Sequence, residues 1–247
     1  MRIISMVPSW TETLIEAGAD VVGRSRFCIH PKEAVKGIPS VGGTKNWDVE
    51  QVLGLHPDLL VLDKEENTLE MAQLQTTAPI FASHVESVQT LPAEMRRLSE
   101  ATKLPSLSEL ARRLESTICK IQPREPELLP GIVQWIRRPS QPIVRVVYLI
   151  WKDPWMSVSP NTFIGSMLSL FLTEGMIPTS EEKYPTVDLT QLDRESTLLL
   201  FSSEPYPFHR KPSEIFTLGF PSAVVNGEYW SWFGVRSLRF LEASTFL

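Results

Sequence analysis

The stretch Trp47-Asp48-Val49-Glu50-Gln51-Val52-Leu53-Gly54-Leu55-His56-Pro57-Asp58-Leu59-Leu60-Val61-Leu62-Asp63-Lys64-Glu65-Glu66 decides the reading of this chain, because a reduced copy returns far downstream. The later copy is Val187-Asp188-Leu189-Thr190-Gln191-Leu192-Asp193-Arg194-Glu195-Ser196-Thr197-Leu198-Leu199-Leu200-Phe201-Ser202-Ser203-Glu204. In both, an Asp-x-x-Gln capping box opens a short amphipathic helix, a polar turn follows, and then come four apolar residues, two polar ones and a glutamate. A short helix feeding a buried strand, with a polar loop at the strand's carboxyl end, is one unit of an open α/β sheet. Two such units imply two related lobes. A fainter echo agrees: Arg2-Ile3-Ile4-Ser5-Met6-Val7 resembles Arg145-Val146-Val147-Tyr148-Leu149-Ile150, and each run is followed by a tryptophan, Trp10 or Trp151.

Working outward, the residues before the organising stretch read as a strand over Ile3–Val7, a helix opened by Ser9-Trp10-Thr11-Glu12 and ended at Gly18, and a strand at Val21–Arg24. After it come Asn67-x-x-Glu70, which caps a helix to about Thr76, and a strand from Pro79 to Ala82. Strands alternating with helices predict a mostly parallel sheet. Residues 88–103 read as a helix, and Ser106-x-x-Glu109 opens a second one over 106–122, roughly 25 Å long and able to bridge two lobes. The prolines from 123 to 142 mark a connecting excursion on the surface, with Ile132-Val133-Gln134-Trp135-Ile136 as an apolar island. The second lobe runs from Val144 through a helix over 162–172, the repeated unit, a strand Ala223-Val224-Val225 and a closing helix over 235–243. The expected partition is therefore 1–104, 105–143 and 144–247.

At 247 residues the chain has room for one large domain or two smaller lobes, and 43% hydrophobic with 21% charged residues suits a folded, core-forming protein. A net charge of −5 without a basic tract argues against nucleic acid. No run approaches the ~18 apolar residues of a membrane span. The two cysteines, Cys28 and Cys119, lie far apart, which gives neither a disulfide framework nor a zinc signature. The first strand starts at about Arg2, leaving no room for a signal peptide. The expected compartment is the cytoplasm if Met1 is the natural start, and the periplasm or exterior if a leader has been removed.

Ligands of open α/β sheets bind beyond the carboxyl ends of the strands. Those ends carry Ser9 and Trp10, Lys45 and Asn46, Lys64 and Glu65, Trp151, Glu204 and Tyr206, and the aromatic run holding Tyr229, Trp230 and Trp232. Aromatic rings mixed with a few charged and amide groups suit a flat, mostly apolar ligand with a polar rim, or a chelate, more than bond-making chemistry. No catalytic residue, resident metal or cofactor is expected. No HExxH, CxxC, G-x-S-x-G or phosphate-loop pattern is present. The alternative is a metal-binding enzyme or metallochaperone using Cys28, His30 and His84, since a thiolate and imidazoles suit a transition metal. Acids on both lobes, Glu70 on the first and Glu204 and Glu214 on the second, are candidate docking points for arginines of a partner.

The run Arg2-Ile3-Ile4-Ser5-Met6-Val7-Pro8-Ser9-Trp10-Thr11-Glu12, the organising stretch ending Pro57-Asp58-Leu59-Leu60-Val61, the mid-chain helix and the second α/β lobe resemble the substrate-binding proteins of ABC importers that have a helical backbone. These helical-backbone metal receptors bind cobalamin, haem and iron-siderophore chelates, and the chain closely resembles a leaderless subgroup of them. The resemblance implies a class III periplasmic-binding-protein-like fold, with two Rossmann-like lobes bridged by one long helix and the ligand in the cleft. It further implies a monomeric, non-catalytic solute-binding protein for a corrinoid or metal chelate. In such a protein one glutamate per lobe engages arginines of the importer's membrane subunits. Lys45, Lys64, Lys152 and Glu204 depart from the mainly aromatic lining expected for cobalamin.

Overall fold

The computed structural model describes residues 1–245 and divides into two compact units. The first comprises Met1–Val85, Gln89–Cys119 and Trp232–Glu242; the second comprises Glu86–Val88, Lys120–Ser231 and residues 243–245.

The first unit is built on strands β1 (Arg2–Ser5), β2 (Asp20–Arg24), β3 (Leu59–Asp63) and β4 (Ile80–Ser83), in the order β2-β1-β3-β4 and parallel at every pairing. Every residue of β3 is buried, as befits an inner strand covered on both faces. Ile4, Met6, Val52, Leu60, Leu62 and Met71 form one core cluster there, with Trp47 and Leu55 packed against it. Helices α1 (Pro8–Glu16), α2 (Lys32–Val35), α3 (Val49–Gly54) and α4 (Leu69–Ala72) connect the strands. Asp48 caps α3 as expected, its Oδ1 accepting from the Gln51 amide at 3.0 Å.

Three other expected capping boxes do not form. Helix α1 starts at Pro8 with Val7 as its cap residue, so Ser9 lies inside the first turn and Glu12 is free to take another partner. Helix α4 is capped by Thr68, not Asn67, and ends at Ala72 instead of near Thr76. Helices α5 (Leu91–Thr102) and α6 (Pro105–Ile118) pack on each other through Leu98, Leu107, Ala111 and Leu114. Proline at the start replaces the expected Ser106 cap of α6, and the helix stops four residues short of 122, at about 21 Å.

The second unit holds a five-stranded mixed sheet, in the order β5-β9-β8-β6-β7. Its inner strands β6 (Arg145–Trp151), β8 (Thr197–Ser202) and β9 (Ser222–Val225) are parallel, while the edges β5 (Ile132–Arg137) and β7 (Met156–Ser157) run antiparallel. The apolar island at 132–136 is thus an edge strand paired with β9, not a surface excursion. Helices α7 (Phe163–Ser169), α8 (Pro212–Thr217) and α9 (Gly227–Ser231) complete the unit. Val147, Leu149, Leu199, Phe201, Phe208 and Val224 belong to its core. In the repeated copy Asp188 caps a 3-10 turn, Leu189–Gln191, in place of an α-helix.

These boundaries differ from the expected partition. Residues 105–119 stay with α5, residues 120–143 join the second sheet, and α10 (Val235–Ser244) returns to the first unit over most of its length. The anchor for that return is Glu12, whose carboxylate takes bonds of 2.8 and 2.9 Å from Arg236. Beside it the hydroxyl of Thr13 accepts from the Val235 amide at 3.0 Å. Gly234 permits this approach: its φ is +84°, and a Cβ there would lie 2.1 Å from that same hydroxyl.

Candidate ligand-binding site

In the first unit the loop after β3 gathers several of the expected residues. The ammonium of Lys45 donates to the Glu65 carbonyl at 2.8 Å, and the Glu65 carboxylate lies 3.8 Å from His84 Nε2. Lys64 and Asn46 are exposed beside them. The loop is fixed from below by hydrogen bonds that sequence spacing does not reveal. The indole N–H of Trp10 donates to Ser83 Oγ at 2.7 Å, and Ser83 donates in turn to Asp63 Oδ2 at 2.6 Å. Asp63 Oδ1 accepts from the Glu65 amide at 2.9 Å. Asn67 closes the loop, accepting from the Asp63 amide at 2.8 Å and donating to the Thr44 carbonyl at 2.7 Å. A small cavity of about 130 Å³ opens beside Asp63, Lys64 and Leu69.

The second unit has a comparable arrangement. Tyr148 donates to Ser202 Oγ at 3.1 Å, and Ser202 accepts from the Glu204 amide at 3.4 Å. Glu204 then accepts from the Ser231 hydroxyl at 2.9 Å. Burial pushes the Tyr148 phenol well above its ordinary range, so it serves as a donor throughout. At the carboxyl end of β6, the exposed Trp151 meets the half-buried Tyr206 edge-on, with ring centroids 5.5 Å apart. Lys152 lies over Trp155 and Lys211 over Tyr206, at 5.8 and 5.4 Å from the ring centroids. Lys152, Trp155 and Lys211, with Phe208 and Ile215, line a cavity of about 210 Å³. Glu214 is paired with both lysines, at 2.6 and 3.4 Å, and Lys152 above all holds its carboxyl below the usual range.

Not every expected residue faces solvent. Trp10 and Trp230 are fully buried: Trp10 packs edge-on against Phe233 at 4.9 Å, and Trp230 against Phe171 at 5.7 Å. They are core rings, and Ser9 beside Trp10 is buried as well. Tyr229 is exposed, and Trp232 lies half-buried against His30 and under the Arg236 guanidinium. Glu70 sits exposed in the first turn of α4, its carboxylate without a hydrogen-bond or ion-pair partner among the described residues.

The alternative metal centre is not assembled. Cys28 is buried, its sulfur within 3.0 Å of Thr11 Oγ1 and 3.1 Å of Ser25 Oγ, and burial pushes its thiol pKa up. His30 meets Trp232 edge-on, and His84 pairs with Glu65. Among the described residues no group of three or more His, Cys, Asp or Glu side chains is placed to hold a metal ion. No helix among them is long and apolar enough to cross a membrane.

The family model described as "Periplasmic binding protein" matches residues 3–211. A vitamin B12-binding protein of Vibrio cholerae serotype O1 is 23% identical over 238 residues, covering 93% of this chain and 74% of that protein. Among solved structures, the periplasmic haem-binding protein HutB of Vibrio cholerae superposes with a TM-score of 0.73 at 17% identity, covering 100% of this chain and 98% of that one. The S. aureus protein IsdE, solved with haem, gives 0.73 at 15% identity over 99% and 97% of the two chains. The periplasmic vitamin B12 binding protein BtuF of Vibrio cholerae gives 0.67 at 19% identity over 99% and 95%. At these identities the superpositions establish the α/β fold.

Proposed function

The chain belongs to the periplasmic binding protein family, and on that premise we propose that it captures a metal chelate or corrinoid for an ABC importer, without chemistry of its own. The observation that carries this reading is the pair of strand-end loops held rigid by buried hydrogen bonds through Asp63 and Ser202. The first loop presents charged groups and the second charged and aromatic ones, each on a preformed support. Preorganisation of this kind lowers the ordering cost of binding. In the second unit Trp151 and Tyr206 offer apolar ring surface to a flat ligand and Lys211 a donor to a polar rim; in the first unit Lys45 and Lys64 are exposed donors of the same kind. The same reading brings with it the compartment named for the haem and vitamin B12 binders, the periplasm.

For docking on the importer's membrane subunits, Glu70 is the better-placed acid of the first unit. On the second unit Glu204 is preferred, because Glu214 already answers two lysines.

The test is thermal unfolding against cobalamin, cobinamide, haem and ferric siderophores. A ligand at 100 times its dissociation constant adds about 2.7 kcal/mol, which for a chain of this size is several degrees. Trp151→Ala combined with Tyr206→Ala is expected to abolish that shift, read against the variant's own ligand-free midpoint, which falls because Tyr206 packs on Phe208. Absence of a shift with every chelate refutes the reading.

A further inference from the structure

A second cavity lies in the second unit, away from the strand ends that carry Trp151 and Tyr206. Its volume is about 320 Å³, within the usual range for small-molecule sites. Arg145, the first residue of β6, stands at its mouth, and Val147, on the same face of the strand, lies deeper in the lining. Trp151 is at the other end of β6, roughly 20 Å away at the rise of an extended chain. Val158 and Leu192 extend the apolar floor, and Thr186 and Gln191 supply hydrogen-bonding groups.

The charges in this cavity are unequally committed. Asp188 also contributes to the lining, but its Oδ1 accepts from both the amide and the hydroxyl of Thr190, at 2.9 and 2.7 Å, to cap the turn. The guanidinium of Arg145 makes no hydrogen bond or ion pair with any described residue. An arginine fork matches a carboxylate bidentately, and a floor of valine and leucine accepts a compact apolar body.

We propose that this cavity is a second ligand site, for a small organic carboxylate with an apolar body, read by Arg145 and seated on Val147, Val158 and Leu192. The site does not depend on the chelate reading, since it uses other residues at the other end of the sheet.

The probe is benzoate, with benzyl alcohol and benzylamine as controls, followed by amide chemical shifts of the whole chain. Benzoate is expected to move the Val147, Thr186 and Gln191 amides saturably, with a dissociation constant of about 1 mM or tighter. Arg145→Met should weaken it about tenfold or more, and Arg145→Lys should recover part of the loss. Because Arg145 is exposed, neither variant is expected to move the thermal midpoint. Equal binding of benzyl alcohol, or preference for benzylamine, overturns the carboxylate assignment. Shifts confined to the Trp151 and Tyr206 region, or no saturable shift at all, overturn the site.

Discussion

Replacing Asp63 by alanine removes the acceptor that two donors share beneath the first-unit loop. The Ser83 hydroxyl at 2.6 Å and the Glu65 amide at 2.9 Å both lose their partner, in a place where Asp63 itself is only 3% exposed. Leaving a buried donor unsatisfied costs about 1–3 kcal/mol; with the part-buried Glu65 amide near the lower end, the two together amount to roughly 2–4 kcal/mol, less whatever the Ser83 hydroxyl recovers by turning to the Leu62 carbonyl at 3.3 Å. In a chain of this size each kcal/mol moves the midpoint by about 2–4 °C, which gives a fall of roughly 4–16 °C. Asp63→Asn keeps an acceptor of the same shape and should lose about half as much. The assay is thermal unfolding by circular dichroism, together with hydrogen exchange of the Glu65 amide, which should accelerate in the alanine variant. A loss within about 0.5 kcal/mol, or an unchanged Glu65 amide, refutes the claim that Asp63 holds the loop.

Glu12→Gln breaks an ion pair whose side chains are only 8% and 13% exposed, and is expected to cost about 3–5 kcal/mol in urea unfolding; a loss under about 1 kcal/mol would remove this pair as the anchor of α10. In the folded protein a thiol reagent should label the exposed Cys119 and leave Cys28 unmodified until denaturant is added, and equal rates at the two would contradict the burial that raises the Cys28 thiol pKa.

The repeat reached further in the sequence than its helices and strands suggest. Aligning Leu59–Leu62 with Leu198–Phe201 sets Asp63 against Ser202 and Glu65 against Glu204. In the folded chain both members of the first pair are buried, and each accepts from the amide two residues on. The correspondence was visible, but not its purpose, because a carboxyl and a hydroxyl look unrelated until their shared acceptor role is seen. Strands β3 and β8 were legible as continuous apolar runs, since inner parallel strands are covered on both faces.

Edge strand β5 was not legible: its pairing partner β9 lies far along the chain, and prolines flank it on both sides. The Ser9-x-x-Glu12 pattern misled for a local reason, because Pro8 had already opened the helix. The aromatic residues divided by packing, a property sequence spacing does not encode. Trp10 and Trp230 became core, while Trp151 and Tyr229 stayed exposed.

The return of α10 to α1 has a consequence for how the protein is made. Arg236 is synthesised 224 residues after Glu12, a delay of roughly 10–45 s at ordinary translation speeds. Until then the first unit emerges with its four parallel strands complete but without its last helix. The Trp10 ring lacks Phe233 against its edge, and the Glu12 carboxylate has only water for company. The half-built first unit must therefore wait for the whole of the second to be synthesised before α1 meets its last partner.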